Sequence, residues 1–338
     1  MELSIIVPMF NCEKTIENTL KSLINQNIDD YEIILIDDGS TDKTKLISKR
    51  YVQNYNFIKY FFQENKGVSS ARNYGIKCST GKFITFCDAD DIPKKEMYGT
   101  LLNDIKKYNV DMVSCDYFSV RDQRNPGFPK KLNAILDENG ISKYIYYMFS
   151  NEDSDVIWGT VWRSIFKKKI IMEYNIKFND NLSFSEDLVF VLTYLLYTKS
   201  IFIERDILYI YNDTNDSLMH SVQKYKKNLF NERLILIDKL QDCLNKLGLI
   251  SKYNDILNNI FQEYILECIG NACIKEETNN FFNAYTNVMN ILKHPKTIEI
   301  FSNINTPIKK RKIIFNLIKR KRMFLITFYY YTKGRRKL

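Results

Sequence analysis

Glu32-Ile-Ile-Leu-Ile-Asp37-Asp38-Gly39-Ser40-Thr41-Asp42 is an apolar run of strand length that stops abruptly in acids and turn formers. A short apolar run bounded by turn residues fits a strand buried on both faces. Upstream, Leu3-Ser-Ile-Ile-Val-Pro8 reads the same way, and a helical stripe of Ile16, Leu20, Leu23 and Ile24 separates the two. Downstream, Phe57 to Phe62, Lys82 to Cys87 and Val110 to Cys115 repeat the strand pattern. Strands alternating with helices predict an α/β fold, a mostly parallel sheet covered on both faces. Ligands in such sheets bind at the carboxyl ends of the strands. Every acidic or glycine-rich cluster in the first hundred residues falls at such an end.

Further along, Arg121 to Lys131 carries Pro126, Gly127 and Pro129 and reads as a loop over the site. Residues 137–211 mix helices with short strands, including Ser200 to Ile203 and Ile207 to Tyr211. From about 224 the spacing predicts helix throughout, so a domain boundary is placed near 220. The chain has 338 residues, 45% of them hydrophobic and 14% aromatic, which excludes long disordered stretches and allows one large domain with a smaller addition.

Seven cysteines form no CxxC pair and only two histidines are present, which argues against a disulfide framework or a zinc site and for a reducing compartment. The first residues lack a basic region before the apolar run, and Pro8 interrupts that run, so no secretory signal is read. No stretch approaches the ~18 uncharged apolar residues of a membrane span. Net charge is +9, yet residues 309–338 hold twelve Lys or Arg and no acid, leaving the rest at −3. A basic tail on an acidic body points to one local interaction and away from a nucleic-acid surface.

Three clusters carry candidate chemistry. In Asp88-Ala-Asp90-Asp91 two carboxylates spaced i, i+2 can present oxygens to a hard divalent cation; the plainer reading is an acidic turn before a helix. Asp37 to Asp42 offers a carboxylate to a base or ribose, with Asp42 also able to cap the next helix. In Glu64-Asn-Lys-Gly67 and Ala71-Arg72-Asn73, Gly67 permits an unusual backbone angle before a helix whose N-terminus favours anions. Arg72 can reach a phosphate, steady the acidic cluster, or serve as a structural ion pair.

In order, Ser4-Ile-Ile-Val-Pro8-Met-Phe-Asn11, Asp37-Asp38-Gly39-Ser40-Thr41-Asp42, Asn65-Lys66-Gly67 with Ala71-Arg72-Asn73, and Asp88-Ala89-Asp90-Asp91 resemble the family 2 glycosyltransferases, strongly over 3–115 and loosely over 116–220. The resemblance implies a GT-A fold over 1–220, with a nucleotide-binding half 1–115 and an acceptor half 116–220, followed by a helical region 221–338. It implies that Pro8, Phe10, Asn11 and Asp38 hold the base, that Gly67 and Arg72 serve the donor, and that Asp88 meets ribose or metal. Asp90 becomes the main metal ligand for manganese or magnesium, and the donor a uridine diphosphate sugar used with inversion.

Phe184-Ser-Glu186-Asp187-Leu-Val-Phe190 resembles the motif supplying the family's base, with Asp187 the base and Glu186 the fallback. Ser185 can cap that helix, whose positive end favours the ionised carboxylate. Trp158 and Trp162 are an acceptor wall or core. His220 would complete the metal site or touch phosphate, as in a segment of some relatives. The implied acceptor is a glycan or lipid-linked glycan of a bacterial surface polysaccharide, in capsule or lipooligosaccharide synthesis.

Basic clusters at Lys309–Lys312, Lys319–Arg322 and Lys333–Lys337, interleaved with apolar Ile313 to Ile318 and Met323 to Tyr331, suit an anionic membrane surface; nucleic acid would also attract them, and the plainer reading is a solvated helical face with its apolar side packed on the body. The expected location is therefore cytoplasmic, peripheral on the inner face of the plasma membrane, with an oligomer possible and nucleic acid not expected. Neither GxGxxG nor GxxxxGK[ST] follows the first strand, which argues against an oxidoreductase or a P-loop enzyme. The remaining alternative is a non-catalytic nucleotide-sugar or nucleic-acid binding module, which the retained acids disfavour.

Overall fold

A computed structural model of the chain describes residues 1–149, 159–212, 228–274, 280–302 and 312–335. Its contacts divide it into two compact units, Met1–Asn215 and Asp216–Leu338.

The first unit opens with the alternation the sequence predicts. Strand β1 (Leu3–Met9) leads through α1 (Ile16–Ile24) to β2 (Tyr31–Asp38), then through α2 (Thr44–Asn54) to β3 (Ile58–Gln63). Helix α3 (Val68–Cys78) crosses to β4 (Phe83–Phe86). These four strands are mutually parallel in the order β3-β2-β1-β4. Every residue of β2 is buried, as expected of a parallel strand with helices on both faces. Leu3, Ile5, Val7, Leu20, Leu23, Ile33 and Leu35 join one apolar core on one face of the sheet.

The second stretch is more mixed. It contains β5 (Ile92–Pro93), α4 (Met97–Lys107), β6 (Met112–Ser119), β7 (Ile135–Leu136), α5 (Glu138–Phe149), β8 (Ser164–Lys167), α6 (Lys168–Glu173), α7 (Glu186–Leu195) and β9 (Ile201–Tyr211). Strand β8 runs antiparallel between β4 and β6, while β6 and β9 are parallel. The full order is β3-β2-β1-β4-β8-β6-β9-β5, with β7 beside β9. The sequence reads two short strands where β9 is continuous. Its exposed Arg205-Asp206 breaks the apolar pattern, but the pairing with β6 absorbs the break through register shifts between Ser114 and Tyr117. The segment at 121–131 is irregular, and the Arg205 guanidinium ties it down by donating to the carbonyls of Phe128, Pro129 and Leu132.

The second unit is helical in its described residues: α8 (Leu229–Lys246), α9 (Ile250–Asn271), α10 (Phe281–Lys293), α11 (Pro295–Ser302), α12 (Lys312–Lys319) and α13 (Met323–Arg335). No described helix is long and apolar enough to cross a membrane. All seven cysteines are free thiols.

Gly81 shows how tightly the sheet is closed at its lower end. Its N–H donates to the Ser4 hydroxyl at 2.9 Å. A Cβ there would lie 2.7 Å from the Ser4 nitrogen, against the backbone of a central strand that cannot yield. Gly81→Ala is expected to destabilise the chain by about 2 kcal/mol, within the range for overpacking a close-packed interior. An equilibrium denaturant titration reads this as a lowered midpoint at unchanged slope.

Candidate active site

The carboxyl ends of β1 and β2 are zipped together by their turns. Asn11, at φ 48°, accepts from the Thr41 N–H through Oδ1 at 2.8 Å and donates its own N–H to Ser40 Oγ at 3.0 Å. Cys12 N–H donates to Thr44 Oγ1 at 2.8 Å. Lys43 holds the cap position of α2, and Asp42 takes the N–H groups of Glu13 and of Thr44, the first residue of that helix, clamping both turns. Against partial burial, the Thr44 hydroxyl and these N–H donors hold its carboxyl below the usual carboxylate range. Pro8 lies half-buried within β1, whereas Phe10 presents 51% of its surface to solvent at the mouth of the turn.

Asp38 ends β2 and is nearly buried. Its oxygens accept from Gln63 Nε2 at 2.6 Å and from the N–H groups of Lys66 and Gly67 at 2.9 and 2.8 Å. In this structure it therefore shapes the loop between β3 and α3. Gly67 adopts φ 88°, a backbone conformation that disfavours a side chain, so the sequence reading of that glycine holds.

The α3 helix that Gly67 opens carries Arg72 into the centre of the site. Arg72 is buried, and its guanidinium forks three ways. Nη2 donates to Asp88 Oδ1 at 3.0 Å, and Nη1 donates to Glu186 Oε1 at 2.9 Å and Asp187 Oδ1 at 2.5 Å. Of the readings open for this residue, steadying the acidic cluster is the one its contacts show. Asp88 follows β4, and Glu186 and Asp187 form the first turn of α7, so one side chain joins segments about a hundred residues apart. Burial works against the charged guanidinium, but the three carboxylates hold its proton far more tightly than usual.

Asp187 departs from expectation. Ser185 stands at the helix start in a left-handed conformation, φ 61°, and its side chain makes no cap hydrogen bond. The favourable helix end is outweighed. Burial first, then the neighbouring Glu186 and Asp88 charges, raise the Asp187 carboxyl to about 8, against the opposing pull of Arg72 and the Val161 N–H. One cation cannot neutralise three carboxylates.

Asp91, quoted in the sequence motif but given no role, is fully buried as a strut. It accepts from the Tyr209 hydroxyl and the Asn212 N–H, both at 2.7 Å. Burial, then Asp88 and Asp90, push its carboxyl well above the usual range. No sequence signal marks Tyr209 or Asn212, which arrive from β9 more than a hundred residues downstream. Of its two readings, Trp162 takes the core one: it is 5% exposed and stacked on Tyr209 and Tyr211 at 4.5 and 5.4 Å. Trp158 and His220 lie outside the described residues.

Among the described residues no three metal-ligating side chains converge into a closed cage. The smaller set of Asp88 and Asp90 still fits a manganese or magnesium ion, since such ions are commonly held by one or two carboxylates together with substrate phosphates and water. After burial, the Asp88 and Asp90 charges also raise the Asp91 carboxyl, and a cation would relieve that part.

The family model for glycosyl transferase family 2 matches residues 4–174. An uncharacterised glycosyltransferase of Bacillus subtilis, EpsJ, is 32% identical over 217 residues, 64% of this chain and 62% of that protein. The cholesterol galactosyltransferase of Borreliella burgdorferi is 26% identical over 268 residues, 78% of this chain and 73% of that protein. Among solved structures, S. aureus TarS 1–349 in complex with UDP-GlcNAc aligns with a TM-score of 0.66 at 19% identity, covering 100% of this chain and 92% of that one. At that identity the likeness speaks to the fold, which is GT-A.

Replacing the buried Arg72 by Gln would leave three half-buried carboxylates together without their cation. The expected loss is about 3–5 kcal/mol, as for breaking a buried ion pair from one side. The penalty comes from ionised carboxylates, so it shrinks as falling pH protonates them and is full only above about 8, where Asp187 too is ionised. Denaturant melts of both proteins across pH read the difference.

Proposed function

Because this chain belongs to glycosyl transferase family 2, we propose that it transfers a sugar from a uridine diphosphate donor to a hydroxyl of a glycan or lipid-linked glycan, with inversion, in building a bacterial surface polysaccharide such as capsule or lipooligosaccharide. The observation that carries this reading is the Arg72 clasp, which sets the acids at the end of β4 beside those at the start of α7. A donor-side carboxylate and an acceptor-side carboxylate within reach of one guanidinium are what a single displacement needs.

The chain's own residues divide the work. The exposed Phe10 ring and the Pro8–Asn11 turn receive the base, while Asp38 fixes the Lys66–Gly67 loop next to it. Asp88 and Asp90 would hold a manganese or magnesium ion, which would supply Lewis-acid neutralisation of charge on a departing diphosphate. Asp187 accepts the proton of the acceptor hydroxyl as that oxygen bonds to the anomeric carbon and the sugar–phosphate bond breaks. Burial raises the affinity of Asp187 for the proton, and Glu186 and Asp88, which share Arg72 with it, raise it further.

With its carboxyl raised to about 8, Asp187 is protonated at neutral pH and becomes a competent base as pH rises through that value. The pH profile of kcat/KM is therefore expected to climb between about 7 and 9. Asp187→Asn should lower kcat by about 10²–10⁴ while leaving donor affinity within a fewfold, since it touches proton removal and not nucleotide binding. Steady-state kinetics on a nucleotide sugar and a hydroxyl acceptor test both. A variant turning over at the wild-type rate would remove Asp187 from this role.

A further inference from the structure

Helix α13 (Met323–Arg335) is apolar on nearly all faces over Met323 to Tyr331, yet only one face is packed. Ile326 and Thr327 are fully buried and Tyr331 nearly so, with Tyr331 edge-on to Phe281 of α10 at 5.4 Å. Much of the opposite face is exposed, although Phe324 also rests edge-on to Phe281 at 5.3 Å. Phe324, Leu325, Phe328 and Tyr329 are 57, 48, 54 and 43% exposed. Their spacing of one and four residues makes them a single continuous stripe. A helix that is apolar all round is ordinarily buried all round, and a contiguous exposed apolar patch marks a contact surface.

The charges beside the stripe say what covers it. Arg320, Lys321 and Arg322 are exposed at the turn between α12 and α13. The turn is held by Lys321 at φ 54° and by the Arg322 N–H donating to the Leu317 carbonyl at 2.8 Å. Three cations are thereby gathered at the N-terminal end of α13, the end where the helix dipole repels positive charge. At the same turn they also follow the C-terminal end of α12, where the dipole favours cations. No acidic residue occurs after Glu299 in the sequence, so no nearby acid of the tail answers them. A second copy of this surface would bring like charges together. A single-stranded nucleic acid would use the cations and aromatic faces but gain little from Leu325.

We propose that the α13 stripe is a membrane-docking surface: Phe324, Leu325, Phe328 and Tyr329 enter the interfacial layer of a bilayer while Arg320, Lys321 and Arg322 engage anionic lipid headgroups. Apolar side chains on one face with cations at its border suit an anionic interface, where burial and electrostatic attraction add. This inference stands apart from the transferase reading, since it uses no residue of the candidate active site.

Flotation of the full chain with vesicles of phosphatidylcholine plus phosphatidylglycerol, against phosphatidylcholine alone, tests it. Wild type is expected to float with the anionic vesicles, and less so as salt is raised. Phe324→Ser with Phe328→Ser, and separately Arg320→Glu with Arg322→Glu, should each weaken partition by about tenfold or more. The altered side chains are exposed, so unchanged thermal midpoints and nucleotide-sugar turnover would show that only docking is lost. Flotation of both variants at the wild-type level overturns the proposal. So does wild type that ignores anionic vesicles, whether it instead self-associates through the stripe or binds a uridine-rich oligonucleotide.

Discussion

One guanidinium among three carboxylates organises the candidate site. Arg72 reaches Asp88 from one side and Glu186 and Asp187 from the other, all within 3.0 Å. Desolvating a cation is costly, and here the cost is offset only because the anions stand at hydrogen-bond distance. The arrangement leaves an excess of negative charge, and that excess gives the site its character. A comparison inside the same chain makes the point. Glu32 is also buried, but it accepts from Lys59 and Ser4 and from both the N–H and the hydroxyl of Thr80. Although burial opposes ionisation there too, these donors bring its carboxyl down to about 2. Asp187 shares its one cation with two other acids and rises to about 8. The number of donors each carboxylate accepts, together with its burial, separates the structural acid from the candidate base.

The parallel sheet delivers the parts. Register between β1 and β2 runs from Leu3 opposite Tyr31 to Met9 opposite Asp37, so both strands end level and their turns can interlock. Strand β4 pairs with β1 on its other side and releases the chain at Asp88 beside the same end. The later, mixed part of the sheet contributes support. Tyr209 and Asn212, at the end of β9, fix Asp91 and with it the backbone that presents Asp88 and Asp90. Trp162 packs against that tyrosine, so an aromatic layer underlies the acids.

The sequence made the first half of the fold readable because its strands are buried on both faces and its turns are chemically marked. The four motifs at strand ends name residues that the fold does gather. What it hid was pairing over long sequence separations. Nothing in Ala71-Arg72-Asn73 says which of phosphate or carboxylate the arginine meets, because its partners lie in α7. The state of Asp187 is hidden for the same reason: the local helix end favours ionisation, while burial and the distant acids raise its carboxyl. Asp38 looked available to a ligand, but its oxygens serve Gln63, Lys66 and Gly67. Strand β9 was cut in two by Arg205-Asp206, which only the pairing with β6 makes tolerable.

Turnover of a panel of nucleotide sugars, with and without manganese, by wild type and Asp90→Ala is the most direct test of the account. It predicts metal-dependent release of uridine diphosphate from one uridine diphosphate sugar, abolished by the substitution. Failure of every nucleotide sugar to bind or turn over would contradict it and leave a GT-A fold serving some other purpose.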